Sequence, residues 1–307
     1  MHRAGKQSFV QMMNLMMGIQ MAAVSVLLII FAVSVYSAAR KETDIAAENF
    51  LHIYATQIEN RIQKVDMQLT TIINEDADLQ LLESEDETKR HYASVRLAQS
   101  INDIINIDQS ADIFVITEAD HNICIDAKAD NLLYSDKNSI RNMFMDYVEL
   151  GQHTDGWKFQ KIGDTFYLYR AIVRNRRVTA AAIAADSLLK TVSLRSVDTY
   201  GFVLTDENDM VKAYAGQPLY DHEKDISIAA LRAGRNLENR EELLGGRVRL
   251  YSYESRTNVF RHLYKNAIFI LAVIALLCIF DMYFMRTERR QIIQPMKGMI
   301  GDMERIR

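Results

Sequence analysis

The chain has 307 residues, a net charge of −4, two prolines and two cysteines. A slightly acidic chain offers no electrostatic footprint for nucleic acid, and two cysteines, Cys124 and Cys278, are too few for a disulfide framework. Neither a glycine-rich phosphate loop nor a metal-spaced histidine pair occurs, so no catalytic centre and no cofactor is expected within these residues.

Residues 1–15 carry Arg3 and Lys6, and no further charge appears before Arg40. Within that gap residues 16–37 read as a membrane helix. A cleaved signal peptide shares the basic start and apolar core, but this run is longer than a typical signal core, so an uncleaved anchor is favoured. With residues 1–15 cytoplasmic, the following chain lies outside the membrane.

Residues 38–77 predict one long helix. Leu51, Ala55, Ile58, Ile62, Val65, Leu69 and Ile72 recur at steps of four and three, with no proline or glycine between them. Such a seam serves either a dimer interface or a face that packs on the domain that follows. Ser84-x-x-Glu87 then reads as a capping box opening a second helix, with Tyr92, Val95, Leu97, Ile101, Ile104 and Ile105 as its apolar positions.

From Asp112 the period changes. Residues 113–117 and 122–126 predict a hairpin around Glu118-Ala119-Asp120-His121, and Cys124 within it reads as a small buried hydrophobe. A short helix over 139–150 follows, then three strands over 157–160, 165–173 and 178–185. Residues 78–185 therefore predict a PAS-like α+β module. Residues 186–260 predict a smaller one: Asp186 caps a helix over 187–194, and two hairpins follow, around Asp206–Asp209 and Gly245-Gly246.

Residues 266–285 read as a second membrane helix, about long enough for a ~30 Å hydrocarbon core. Arg286, Arg289 and Arg290 follow directly and place that end in the cytoplasm. Asp281 is the charge inside this span, and it either reaches interfacial water or takes part in signalling. Ile292, Met296, Met299, Met303 and Ile306 then recur at coiled-coil steps, with Pro295 at the start of the new helix.

In strand 165–173, Phe166, Leu168 and Ile172 alternate with Tyr167, Tyr169 and Ala171. The first set is expected to pack on the long helix and the second to face a cup under the loops. Trp157 at the rim and Asp186 at the far wall complete a candidate site for a small polar or cationic ligand. The alternative is that these aromatics are core and Asp186 only a cap; of the two, the core reading is preferred.

The run Ile292-x-x-Pro295-Met296-x-x-Met299-x-x-x-Met303-x-x-Ile306 resembles the first helix of a HAMP linker. The order of elements over 38–260, with the small-residue strand Val178–Ala185 ending in Asp186, resembles the double Cache sensors of bacterial receptors. The combination is most similar to YesM-type sensor histidine kinases. This resemblance implies a homodimer in the cell membrane that senses a small molecule or an extracytoplasmic protein. It also implies relay through residues 286–307 to a kinase region beyond Arg307, and from there to an AraC-type response regulator. Amine-binding members carry an Arg-x-Trp-Tyr element; here Asp155-Gly156-Trp157-Lys158 lacks the arginine and the tyrosine, which speaks against an amino-acid ligand. A chemoreceptor portion and a membrane-anchored adhesion or scaffold protein are the alternatives.

Overall fold

A computed structural model describes residues 3–150, 154–190, 200–216, 224–232, 237–254 and 256–288. The chain forms two compact units, residues 1–45 with 257–307, and Ala46–Arg256.

The first unit holds the start of helix α1 (Arg3–Glu75) and nearly all of α7 (Arg256–Glu288). Both present exposed apolar side chains, among them Leu27, Ile30, Phe31 and Val33 on α1 and Phe269, Leu271, Leu276 and Phe280 on α7. Among the described residues no helix is long and apolar enough to cross a membrane. Asp281 lies within α7, but its side chain is outside the described residues; Ile292, Pro295, Met296, Met299, Met303 and Ile306 lie outside them altogether.

The second unit is α+β, built around the rest of α1. Short α2 (Ala77–Leu81) and α3 (Glu87–Asp103) follow, then a π turn at Ile104–Asp108. Strands β1 (Ile113–Glu118) and β2 (Ile123–Lys128), helix α4 (Tyr134–Leu150), and strands β3 (Lys158–Ile162), β4 (Thr165–Arg174) and β5 (Arg177–Ala184) come next. The five strands form an antiparallel sheet in the order β2-β1-β5-β4-β3. Helix α5 (Ala185–Lys190) leads to β6 (Tyr200–Asp206), β7 (Val211–Ala215), α6 (Ile228–Arg232), β8 (Leu237–Leu243) and β9 (Val248–Glu254). These strands make a second antiparallel sheet, β7-β6-β9-β8.

All seven seam residues of α1 are buried, and they share one core with both sheets: Phe114, Leu168 and Ile183 from the first, Phe202, Leu204 and Leu250 from the second. Tyr54 stacks on Phe202 with ring centroids 4.2 Å apart. The seam is thus a face that packs within the subunit. Each sheet is covered on its other side by its own helix. Ile140, Phe144 and Val148 of α4 pack on the first, and Ile228 and Leu231 of α6 on the second. Central β5 is covered on both faces, and its run Ala180-Ala181-Ala182 leaves room for a helix to approach on either side.

Helix α3 departs from expectation at its start. Its N-cap is Asp86, whose Oδ1 accepts from the amides of Thr88 (3.0 Å) and Lys89 (3.3 Å), while Ser84 Oγ accepts from the Asp86 amide (3.3 Å). A carboxylate at the cap position takes both donors, so the hydroxyl two residues earlier is displaced into the preceding turn. The buried stripe of α3 is Ala93, Leu97 and Ile101, continued by Ile105, whereas Tyr92 and Val95 are exposed. Strict steps of four run back from Ile105 to Ala93, and the bulkier neighbours fall off that line. Helix α4 starts at Tyr134, five residues before the predicted start at 139. Asp186 sits inside the first turn of α5 rather than ahead of the helix.

Gly201 of β6 lies opposite Tyr253 of β9. A methyl added there would stand 1.9 Å from the Tyr253 Cζ, so the buried ring covers the glycine and has to move if it is replaced. Gly201→Ala is expected to lower stability by about 1–2 kcal/mol through overpacking, measured by urea denaturation. A change within about 0.5 kcal/mol would mean that the ring relocates freely.

Candidate functional site

The alternation along β4 has half of the consequence read from the sequence: Tyr167 and Tyr169 turn away from α1, but they meet no open cup and are buried, 3% and 4% exposed, as the preferred core reading expects. Phe166 and Leu168 enter the core beneath α1, while Tyr167 and Tyr169 face α4. Tyr167 donates its hydroxyl to Asp136 Oδ2 at 2.8 Å, and Asp136 Oδ1 accepts from Ser135 Oγ at 3.2 Å. The Tyr169 and Tyr147 hydroxyls are 2.6 Å apart, with the Phe144 ring set edge-on to Tyr169 at 5.8 Å. Burial pushes both the Tyr167 and Tyr169 phenols well above their ordinary values. The hydrogen bond to Asp136 raises Tyr167 further, and Tyr147 does the same for Tyr169. Both phenols therefore remain protonated across the physiological range.

Asp186 follows two residues after Ala184, which pairs with Tyr167, and its charge helps to raise the Tyr167 phenol. Its Oδ2 accepts from Lys224 Nζ at 2.6 Å, an ion pair reaching across from the chain just before α6. Of the two roles expected for this carboxylate, site wall and helix cap, the structure places it inside the first turn of α5 with Lys224 as its cation.

Trp157 does not join the tyrosines. Lys158 pairs with Tyr169, so Trp157 falls on the Arg170 side of the sheet, facing α1. There its indole Nε1 donates to both oxygens of Asp66 at 3.1 Å, and Arg170 Nη1 donates to the same carboxylate at 2.6 Å. The parity of one residue separates the indole from the rim it was expected to form.

On the α1 side a cleft of about 780 Å³ opens between α1, the π turn and α5. Its floor is the nearly buried Arg61. The guanidinium donates to Ser110 O (2.7 Å), Ser187 O (2.9 Å) and Ser187 Oγ (3.0 Å), and lies 3.7 Å from Asp112 Oδ1. Asp112 in turn accepts from the Ala184 amide at 2.7 Å. Helix α1, the start of β1 and the first turn of α5 are thereby joined by one polar network, one residue away from Asp186.

Asp136, Tyr147, Asp66 and Lys224 were not singled out from the sequence. Ser135-Asp136 ahead of the apolar period of α4, and Tyr147 three residues after Phe144, were available as local signals. Lys224 carries none, since its partner lies 38 positions away. Chemically the site offers hydroxyl donors and carboxylates. Among the described residues no group of histidine, cysteine and acidic side chains is placed to hold a metal. Burial pushes the Cys124 thiol up, away from the nucleophilic thiolate.

No family model and no curated protein matches the chain in sequence. Among solved structures, the sensory domain of the Campylobacter jejuni chemoreceptor Tlp3 with isoleucine bound is similar at a TM-score of 0.43 and 11% identity, over 71% of this chain and 95% of that one. The ligand-binding domain of the Pseudomonas aeruginosa amino-acid chemoreceptor PctC in complex with GABA is similar at 0.38 and 15%, over 67% and 97%. A two-component system signal-transduction protein is similar at 0.37 and 11%, over 67% and 99%.

Proposed function

We propose that this chain is the sensing and membrane-crossing portion of a bacterial two-component sensor histidine kinase. In this reading residues 16–37 and 266–285 cross the membrane, 38–260 form an extracellular double Cache sensor, and 286–307 begin a HAMP linker. A homodimer passes the signal to a kinase region and its response regulator. The observation that carries the reading is the set of exposed apolar side chains on α1 and α7, which bracket the folded unit Ala46–Arg256 in sequence. Apolar surface of that extent needs lipid or protein to cover it.

The ligand is a small polar or cationic molecule held by Asp186 and Asp136 at the edge of the buried Tyr167–Tyr169 pair. Trp157, committed to Asp66, has no part in it. The α1 seam is consumed inside the subunit, so the dimer uses other surfaces. Asp281, Ile292, Pro295, Met296, Met299 and Met303 carry the transmission step.

Topology tests the proposal. With Cys124 and Cys278 replaced by alanine, a cysteine at exposed Gln160 is expected to react with a membrane-impermeant maleimide in intact cells. A cysteine at Arg307 is expected to react only after permeabilisation. Labelling of both from the same side would end the receptor reading.

A further inference from the structure

The Asp186–Lys224 pair has three properties that together point beyond a structural contact. First, Lys224 is the only ion-pair partner of Asp186 among the described residues. Second, the pair is only partly covered, with side-chain exposures of 33% for Asp186 and 20% for Lys224. A partly solvated ion pair between flexible side chains is weak and exchanges readily. Third, the chain next to Lys224 is held in an unusual conformation. Asp225 has φ +71°, in the left-handed region, its amide donates to Val211 O at 2.8 Å, and its carboxylate takes Lys212 Nζ at 2.9 Å. Lys212 also pairs with Asp206 at 3.1 Å and lies 4.5 Å from the Phe166 ring centroid. Lys224 is therefore a short strap: its backbone is pinned to β7 of the second sheet, and its ammonium rests on the carboxylate beside the tyrosine face of the first.

We propose that Lys224 is a resident cation that occupies Asp186 until a ligand's cationic nitrogen displaces it, and that it thereby sets the affinity and selectivity of the site. This rests on the cationic-ligand reading given above. Asp186 cannot serve both ammonium groups at full strength, so the ligand has to bring further contacts, and the Tyr167 hydroxyl with its Asp136 partner lies on the adjoining face. An anionic or neutral ligand leaves the strap in place. A cationic one frees it and alters the Asp225–Lys212–Phe166 chain between the two sheets. Binding and inter-sheet change are then one exchange of counter-ions.

The test uses the full chain in lipid nanodiscs and four separate probes: ethanolamine, putrescine, choline and arginine. Acylation of Lys224 by a trace of N-hydroxysuccinimide acetate, well below the probe concentration, is followed by mass spectrometry as a ratio to that of exposed Lys89, which cancels the reagent that the probe amine consumes, and binding is followed by calorimetry. Lys224 is expected to react faster in Asp186→Asn than in the wild type, and faster in the wild type once a binding amine is present. Lys224→Met is expected to bind that amine about tenfold more tightly, the equivalent of about 1.4 kcal/mol. Lys224→Arg retains the charge and should bind it no more tightly than the wild type. Binding by Lys224→Met alone also supports the strap, because the competitor has been removed. If an amine binds the wild type without changing Lys224 reactivity, or Lys224→Met binds no more tightly, the strap is wrong and the cationic-ligand reading stands. If no amine binds either form, the cationic-ligand reading fails and takes the strap with it.

Discussion

Arg61→Ala is expected to cost the fold about 3–5 kcal/mol, the range for removing one partner of a buried charge pair. Only 10% of the Arg61 side chain and 5% of the Asp112 side chain are exposed. Burial pulls the guanidinium below its ordinary value and Asp112 opposes the pull, so the group remains charged and its carboxylate partner depends on it. Alanine would leave Asp112 with the Ala184 amide and the Ser187 hydroxyl as hydrogen-bond donors but without a cation, and would strip the Ser110 carbonyl of the guanidinium donor it has now. An unsatisfied buried acceptor adds to the charge penalty. Arg61→Lys restores the charge but not the three-way fork, and an intermediate loss is expected. The readout is built in. Trp157 is the chain's single tryptophan, and its indole is bonded to Asp66 on α1, so its fluorescence reports undocking of that helix during urea denaturation. A loss below about 1 kcal/mol would mean that water enters the Arg61 site and replaces the guanidinium at little cost.

The same network explains which features were legible in the sequence. Periodicity reports burial, and it reported α1 and β4 correctly, because a step of three or four and a step of two each have one geometric meaning. It does not report what covers the buried face. The α1 seam fits a partner subunit or the chain's own sheets equally well, and only the tertiary core with Leu168 and Phe202 decides between them. Trp157 illustrates a second limit. Its chemistry suits a ligand rim, yet a register set by the β3–β4 turn directs it to Asp66. Asp186 illustrates a third. Its position before an apolar run fits a cap, but the stronger offer is a cation 38 positions downstream, and no local pattern carries that information. Long-range polar pairs, unlike hydrophobic stripes, leave no period behind.

Ile62→Ala is expected to cost about 2–5 kcal/mol, the range for truncating a fully buried side chain on a face that relaxes little. Ile62 has no exposed surface and sits mid-seam between Ile58 and Val65, in the core that α1 shares with both sheets. Long helix α1 is rigid on the scale of a lost side chain, so the cavity stays open and lost dispersion adds to lost burial. The control is Met67→Ala on the exposed side of the same helix, which should change stability by less than about 0.5 kcal/mol. Concentration separates the two meanings of the seam. In an intrachain core, the Ile62→Ala loss is the same at low and high protein concentration. In a dimer interface, folding is coupled to association and the wild-type midpoint rises with concentration by mass action. Denaturation followed through Trp157 at widely spaced concentrations would distinguish them. A loss that shrinks as the protein is concentrated would return the seam to the partner subunit and reopen the question of what holds α1 on the sheets.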